Sequence, residues 1–208
     1  MNARRPYRRE GEGARRAALV RATLDCIAEG GPQAATVRAI ALKAGVTQGL
    51  IRHYFATKEE LIAAAHEALM TSLTEASMGR LDELPGDPLA RLAGFIANAV
   101  SPPVADPRAM ALWAASMQLV PRDPAMRAAH EATYLAFRDR LEGMIGAALE
   151  AAGKPRPAET RALAIAGNAL LDGLWIEASL LPGHFAPGEM KTIAIKAFER
   201  LLDLKFPE

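Results

Sequence analysis

Apolar residues return at intervals of three and four along almost the whole chain, and strict two-residue alternation is nearly absent. That pattern predicts an all-α protein. Stop signals divide it into about nine helices. The first is predicted over 14–29, with Val20, Leu24, Ile27 and Ala28 on one stripe and Gly30-Gly31-Pro32 at its end; glycine accepts a left-handed cap and proline blocks resumption. Thr36 is placed to cap a second helix over 37–44, Gly45 to end it, and Thr47 to cap a third that reaches about Phe55. Thr57, with Glu60 three residues later, has capping-box spacing and opens a long fourth helix carrying Leu61, Ala65, Leu69 and Leu73, closed by Pro85-Gly86-Asp87-Pro88. Leu89, Leu92, Ala93, Ile96 and Val100 mark a fifth, which stops at Pro102-Pro103. Asp106-Pro107 and Asp123-Pro124 each set a capping carboxylate before a proline at the first helical position, where the missing amide hydrogen costs nothing. They open helices six and seven, the latter running to Ala152 before Gly153. The eighth is predicted over 158–181, before Pro182-Gly183, and the ninth over 187–204. There is no internal repeat, and the segment before Ala14 is the one expected to be mobile.

The second and third predicted helices carry the most specific pattern. Ile40 and Ala44 fall on one face of the second, Ile51 and Tyr54 on one face of the third, and small Ala41 lets the two axes cross closely. Gly45 supplies a tight turn and Val46 plugs its corner, which is the construction of a helix-turn-helix with Ile51, Tyr54 and Phe55 as its apolar base. Gln48 and Arg52 are then i, i+4 neighbours on the outward face, with Gly49 and His53 beside them. Glutamine and arginine make bidentate contacts to adenine and guanine edges in the major groove, and Gly49 permits close backbone approach. Thr36, Thr47 and Lys58 stand at the starts of helices two, three and four, where they suit phosphate contacts. The DNA-facing set is therefore Thr36, Thr47, Gln48, Gly49, Arg52, His53, Tyr54 and Lys58.

Charge agrees with that reading. Of a net +1, the chain through Ile62 carries eleven Lys or Arg against six Asp or Glu, +5, which leaves −4 for the rest. A basic first third, including Arg4, Arg5, Arg8 and Arg9, suits a polyanion partner. Catalysis finds no support: there is no nucleophile elbow and no glycine-rich phosphate loop. The four histidines, at 53, 66, 130 and 184, lack metal-ligand spacing and read as surface or capped groups, so neither a metal nor a cofactor is expected. One cysteine, Cys26, excludes an intrachain disulfide and reads as a small buried residue. No uninterrupted apolar run approaches the roughly 18 residues of a membrane span, and a cytoplasmic protein is expected.

Residues 36–61, TVRAIALKAGVTQGLIRHYFATKEEL, resemble the DNA-binding segment of TetR-family bacterial regulators. The shared positions are Thr36, Ile40, Ala41, Ala44, Gly45, Val46, Gly49, Tyr54, Phe55, Lys58 and Leu61. Arg52 departs from the pattern, standing where the family commonly has a phosphate-contacting tyrosine; arginine can keep that contact or read a base. GLIRHYF and the later ALLDGLWIEASL resemble the branch containing BetI, the repressor of choline-to-betaine synthesis genes. The resemblance implies a basic arm and three-helix DNA-binding domain over 1–62 and a larger helical domain over 63–208. It also implies a two-fold dimer built from 158–181 and 187–204 of each chain, which suits a palindromic double-stranded operator, and a repressor released by a small-molecule effector.

Within the second domain, helix eight is apolar almost all round, with Leu163, Ala166, Leu170 and Leu174 on one flank and Ile165, Ala169 and Ile176 on another. One side suits its own core and the other a partner; a deeply buried monomer helix is the alternative. Asp172 lies among apolar neighbours, and a buried carboxylate requires a partner. One reading supplies a cationic effector such as choline, held by Trp113, Met117, Tyr134, Asn168, Asp172 and Trp175. The other makes Asp172 a structural carboxylate, bonded across the dimer or to an arginine, and the tryptophans plain core; Met110, Met117 and Met144 likewise suit either pocket or core. The competing class for the whole chain is a helical ligand-binding or enzymatic protein that never touches DNA.

Overall fold

The structure is a computed structural model and describes residues 6–79, 81, 86–181 and 183–207, with side chains from Gly11 onward. Arg4 and Arg5 of the basic segment and the stop-signal prolines Pro85 and Pro182 lie outside the described residues. Among those described there is no strand. The helices are α1 (Pro6–Gly30), α2 (Val37–Ala44), α3 (Gln48–Tyr54), α4 (Lys58–Met78), α5 (Pro88–Ala99), α6 (Pro107–Met117), α7 (Pro124–Ala151), α8 (Pro157–Leu180) and α9 (Glu189–Leu202), with a 3₁₀ turn at Pro32–Ala34.

Several boundaries differ from the sequence reading by a residue or more, and three of the differences have a local cause. α1 begins at Pro6 rather than near Ala14; Gly11 and Gly13, at about 1 kcal/mol each relative to alanine, do not outweigh the arginine- and glutamate-rich turns around them. α4 ends at Met78, ahead of the Pro85-Gly86 signal, because Gly79 takes a left-handed backbone (φ +49°) and its amide bonds the Glu75 carbonyl at 2.9 Å. α9 starts at Glu189 because Gly188 (φ +78°) occupies the cap position.

The backbone divides into two compact units. The first holds the chain through Leu69 together with Leu112–Glu131; the second holds Met70–Ala111 and the chain from Ala132 onward. α6 thus contributes most of its length to the first unit, as does the start of α7.

In the first unit, Leu19, Val20, Cys26 and Ile27 of α1 are buried together with Ile40 and Ala41 of α2, Ile51 of α3 and Leu61 and Ala65 of α4. Burial raises the Cys26 thiol pKa, which leaves it a core residue. At the end of α1, a Cβ on Gly30 would come within 2.6 Å of the Ala34 Cβ, so the close turn into the 3₁₀ segment requires glycine. His66 is a correction to the surface reading: it is 2% exposed, with Nε2 3.2 Å from Nδ1 of His130. Its own Nδ1 is buried without a hydrogen-bond partner among the described residues. An orphaned N–H costs more than an orphaned lone pair, so His66 is neutral, protonated on Nε2, and donates to His130. Burial, and secondarily the neighbouring His130, lower its pKa to about 4.

The core of the second unit is built from Leu92, Phe95 and Ile96 of α5, Phe137, Leu141, Ile145 and Leu149 of α7, Ala164 and Leu171 of α8, and Ala194, Phe198 and Leu202 of α9. Phe95 and Phe137 pack with ring centroids 5.2 Å apart. Leu163, Leu170, Leu174 and Met144 pack half-buried against this core. The opposite side of α8 is exposed: Ile165 at 39%, Ile176 at 43% and Leu180 at 71%, in line with small Ala162, Ala166, Ala169 and Gly173.

α8 and α9 meet where Gly167 lies under Phe198; a Cβ at 167 would stand 2.7 Å from that fully buried ring. Gly167→Ala is therefore expected to destabilise the protein by about 1–3 kcal/mol, read as a lowered denaturation midpoint. The histidine pair gives a second expectation. His66 has a folded pKa of about 4 and an ordinary unfolded value of 6.5, so its contribution is complete above 6.5 and is lost as pH falls toward 4. Between pH 7 and 5 this amounts to about 2 kcal/mol, and a His66→Phe chain is expected to lack that part of the slope in urea titrations at each pH.

Candidate nucleic-acid interface

α2 and α3 are held by local bonds that the residue types dictate. Thr36 Oγ1 accepts from the Ala39 amide at 3.2 Å, and Thr47 Oγ1 accepts from the Leu50 amide at 3.3 Å. Between the helices Gly45 adopts φ 66°, ψ 33°, and the Val46 amide bonds back to the Ala41 carbonyl at 2.9 Å. Ile51 (2% exposed) and Phe55 (5%) form the base on which α3 rests. The Arg16 guanidinium of α1 sits 5.1 Å above the Phe55 ring, and Lys43 bonds Glu29 at 2.6 and 2.8 Å, joining α2 to α1. At the head of α4, Thr57 Oγ1 accepts from the Glu60 amide at 3.1 Å while Glu60 Oε2 reaches the Ala56 amide at 2.8 Å.

On the outer side of this scaffold Gln48, Gly49, Arg52 and His53 are exposed, as are the two capping threonines. Tyr54 is half-buried, its ring edge-on to His53 at 5.2 Å, and Lys58 is half-buried at the first position of α4. A Cβ added at Gly49 would meet nothing nearer than Thr47 Oγ1 at 3.8 Å, ordinary contact. The protein's own packing does not require glycine there.

The second unit gathers four of the six candidate effector residues. Tyr134 donates to Asp172 Oδ2 at 2.7 Å, and Asn168 Nδ2 lies 2.6 Å from the Tyr134 hydroxyl and 3.1 Å from Asp172 Oδ2. The Trp175 indole N–H donates to the Ala99 carbonyl at 2.9 Å, which fixes its ring. Burial raises the Asp172 pKa, partly offset by the Tyr134 and Asn168 hydrogen bonds, and burial also raises that of Tyr134. Asp172 thus has partners within its own chain, a tyrosine and an asparagine rather than an arginine. Met70, Leu73, Thr74, Phe137 and Leu171 complete the walls of a cavity of about 10 Å³, room for about one water. Trp113 and Met117 belong to the first unit, and Met110 is buried core.

Residues 19–65 match the profile of bacterial regulatory proteins of the tetR family, and residues 88–203 match that of the BetI-type transcriptional repressor C-terminal region. The HTH-type transcriptional regulator BetI of Stenotrophomonas maltophilia is 30% identical over 187 residues, 88% of this chain and 90% of that protein. The chain belongs to the TetR family. A solved structure from Pseudomonas aeruginosa PAO1, of a protein named as a transcriptional regulator, superimposes with a TM-score of 0.84 at 32% identity, covering 97% of both chains. A regulator from Saccharomonospora viridis, solved in complex with choline, shares the fold at a TM-score of 0.74 and 18% identity, over 89% of this chain and 95% of that one. This TetR-family chain is a DNA-binding transcriptional regulator, and its relatives are regulators rather than enzymes.

In this TetR-family member the sequence reading missed Met70, Leu73, Thr74, Phe137 and Leu171 as cavity walls. Thr74 is the one with a usable signal: a hydroxyl in mid-helix, buried at 7% exposure and bonded to the Met70 carbonyl. The Asp172 cluster carries its own test. Tyr134→Phe removes one of the two donors to a half-buried carboxylate and is expected to cost about 1–3 kcal/mol, measured as a loss of denaturant stability at pH 7.

Proposed function

We propose that this protein is a homodimeric repressor in which α3 reads operator bases and an effector bound in the second unit releases the DNA. The observation that carries the reading is the grouping of Gln48, Gly49, Arg52 and His53 on the exposed side of a helix anchored by Ile51 and Phe55. Gln48 and Arg52 are assigned to base edges; Thr36, Thr47, Tyr54 and Lys58 are assigned to phosphates. A glycine that internal packing does not demand supports close approach of α3 to the groove.

Pairing is assigned to α8 and α9. By length and composition α8 is also long and apolar enough to cross a membrane. Its other side, however, packs Ala164, Gly167, Asn168, Leu171 and Trp175 into the core, which favours a protein partner over lipid. The stripe of Ile165, Ala169, Ile176 and Leu180 with small neighbours, together with exposed Ile193 of α9 (40%), fits a second copy of the same helices. A two-fold pair then meets successive major grooves of a palindrome.

The effector is assigned to Tyr134, Asn168, Asp172 and Trp175. A carboxylate facing a fixed indole suits a small cation such as choline. The cavity holds about 10 Å³ in the structure, so entry requires Tyr134 and Asn168 to move from Asp172. Trp113 and Met117 are left without an assigned part in this site.

Fluorescence anisotropy with DNA from upstream of the gene at two salt concentrations tests the DNA assignments. Arg52→Ala is expected to weaken operator binding and relax base preference, by about 1–3 kcal/mol if it reads a guanine. Lys58→Ala is expected to weaken binding to all sequences and flatten the salt dependence. Gly49→Ala is expected to keep its thermal stability and lose operator affinity. Unchanged affinity and preference in Arg52→Ala would refute the assigned groove face.

A further inference from the structure

The first unit contains a second cleft, far roomier than the Asp172 cavity, at about 290 Å³. Its residues are Pro32 and Gln33 of the 3₁₀ turn, Lys58, Glu59 and Ile62 of α4, and Leu119, Arg122, Asp123 and Met126 around the start of α7. The floor is apolar: Ile62 and Met126 are 7% and 2% exposed, with Pro32 and Leu119 alongside. The rim is charged, and its four charges are not equivalent. Asp123 Oδ1 accepts the Met126 amide at 2.8 Å at the head of α7, and Glu59 lies in the first turn of α4. Both acids are compensated by the positive ends of long helices. Lys58 and Arg122 have no ion pair among the described residues. Lys58 is moreover a cation at a helix N-terminus, an unfavourable position that a nearby anion relieves.

We infer that this cleft binds a small amphipathic anion, whose apolar body covers Ile62, Leu119 and Met126 and whose carboxylate or comparable group pairs with Arg122 and Lys58. A neutral amphiphile leaves the two cations unused, and a cationic one meets them with like charge. The volume sits at the lower end of small-molecule sites, which bury an apolar body against a few placed polar groups. The site stands on the cleft alone. A consequence for regulation rests on the assignment of Lys58 to DNA phosphate: an anion held there withdraws that lysine, so ligand and DNA compete.

The test uses the full chain and three probes of equal length: decanoate, decyltrimethylammonium and decanol, each below its micelle concentration, by titration calorimetry without DNA. Decanoate is expected to bind once per chain and about tenfold or more tighter than either other probe, as a charge-assisted contact requires. Arg122→Ala, on the exposed rim, and Leu119→Trp, which fills the cleft, are each expected to weaken decanoate at least several-fold. Asp172→Asn, in the other unit, is expected to leave decanoate affinity unchanged. Equal binding of all three probes, no binding of decanoate, or sensitivity to Asp172→Asn but not to Arg122→Ala would overturn the site. With DNA added, decanoate is expected to lower affinity in the parent chain and to require a correspondingly higher concentration to do so in Arg122→Ala. Decanoate that binds without weakening DNA would overturn the shared lysine, and a chain that binds decanoate but never DNA would instead refute the DNA assignments.

Discussion

Ile51 and Phe55 anchor a helix of only seven residues, far below the length at which a helix holds itself together in water. α3 exists because its inner side is buried and because Thr47 accepts the Leu50 amide of its first turn, while the Gly45 turn satisfies the last carbonyls of α2. The same burial decides which residues face outward: with Ile51 inward, the helical period sets Gln48, Arg52 and His53 on the exposed arc. The contacts of Arg16 with Phe55 and of Lys43 with Glu29 add modest energies individually, since both lie near water. Their effect is positional, tying α1 to both helices of the motif.

The two partly buried polar groupings follow opposite electrostatic logic. His66 is desolvated beside another imidazole, so charge is expelled and the pair stays neutral with one nitrogen left unmet. Asp172 is desolvated beside two hydrogen-bond donors, which partly counter the cost of charge. A neutral pair needs nothing further and reads as structure. The donors to Asp172 are uncharged, so no cation bonds it among the described residues, and burial raises its pKa.

Local bonding explains what was legible in the sequence. Thr36, Gly45, Thr47 and Thr57 act on amides within a few residues of themselves, so the starts and stops of α2, α3 and α4 could be read directly. Gly79 carried the same information about the end of α4, yet a glycine inside a helical pattern is equally compatible with continuation. Partnerships across helices were less visible. Tyr134, Asn168 and Asp172 were each singled out by type, but their mutual bonding depends on how α7 meets α8. The histidine pair went unread because 64 residues separate its members. Trp113 and Met117 were grouped with the effector residues because periodicity locates α6 in the chain without saying which core it joins.

The closed Asp172 cavity sets a condition on any release mechanism. On the proposed assignment, a cavity with room for about one water is too small for a choline-sized effector, so binding requires a more open conformation, and the apparent affinity is reduced by the fraction that adopts it. If DNA favours the closed form, bound DNA lowers that population further, and linkage requires the effector to weaken DNA by the same factor. Changes that loosen the Tyr134–Asp172 contact should then raise effector affinity and lower operator affinity together, without touching the DNA-facing residues of the first unit. A structural carboxylate gives no reason for that correlation, which separates the two readings of Asp172 on thermodynamic grounds.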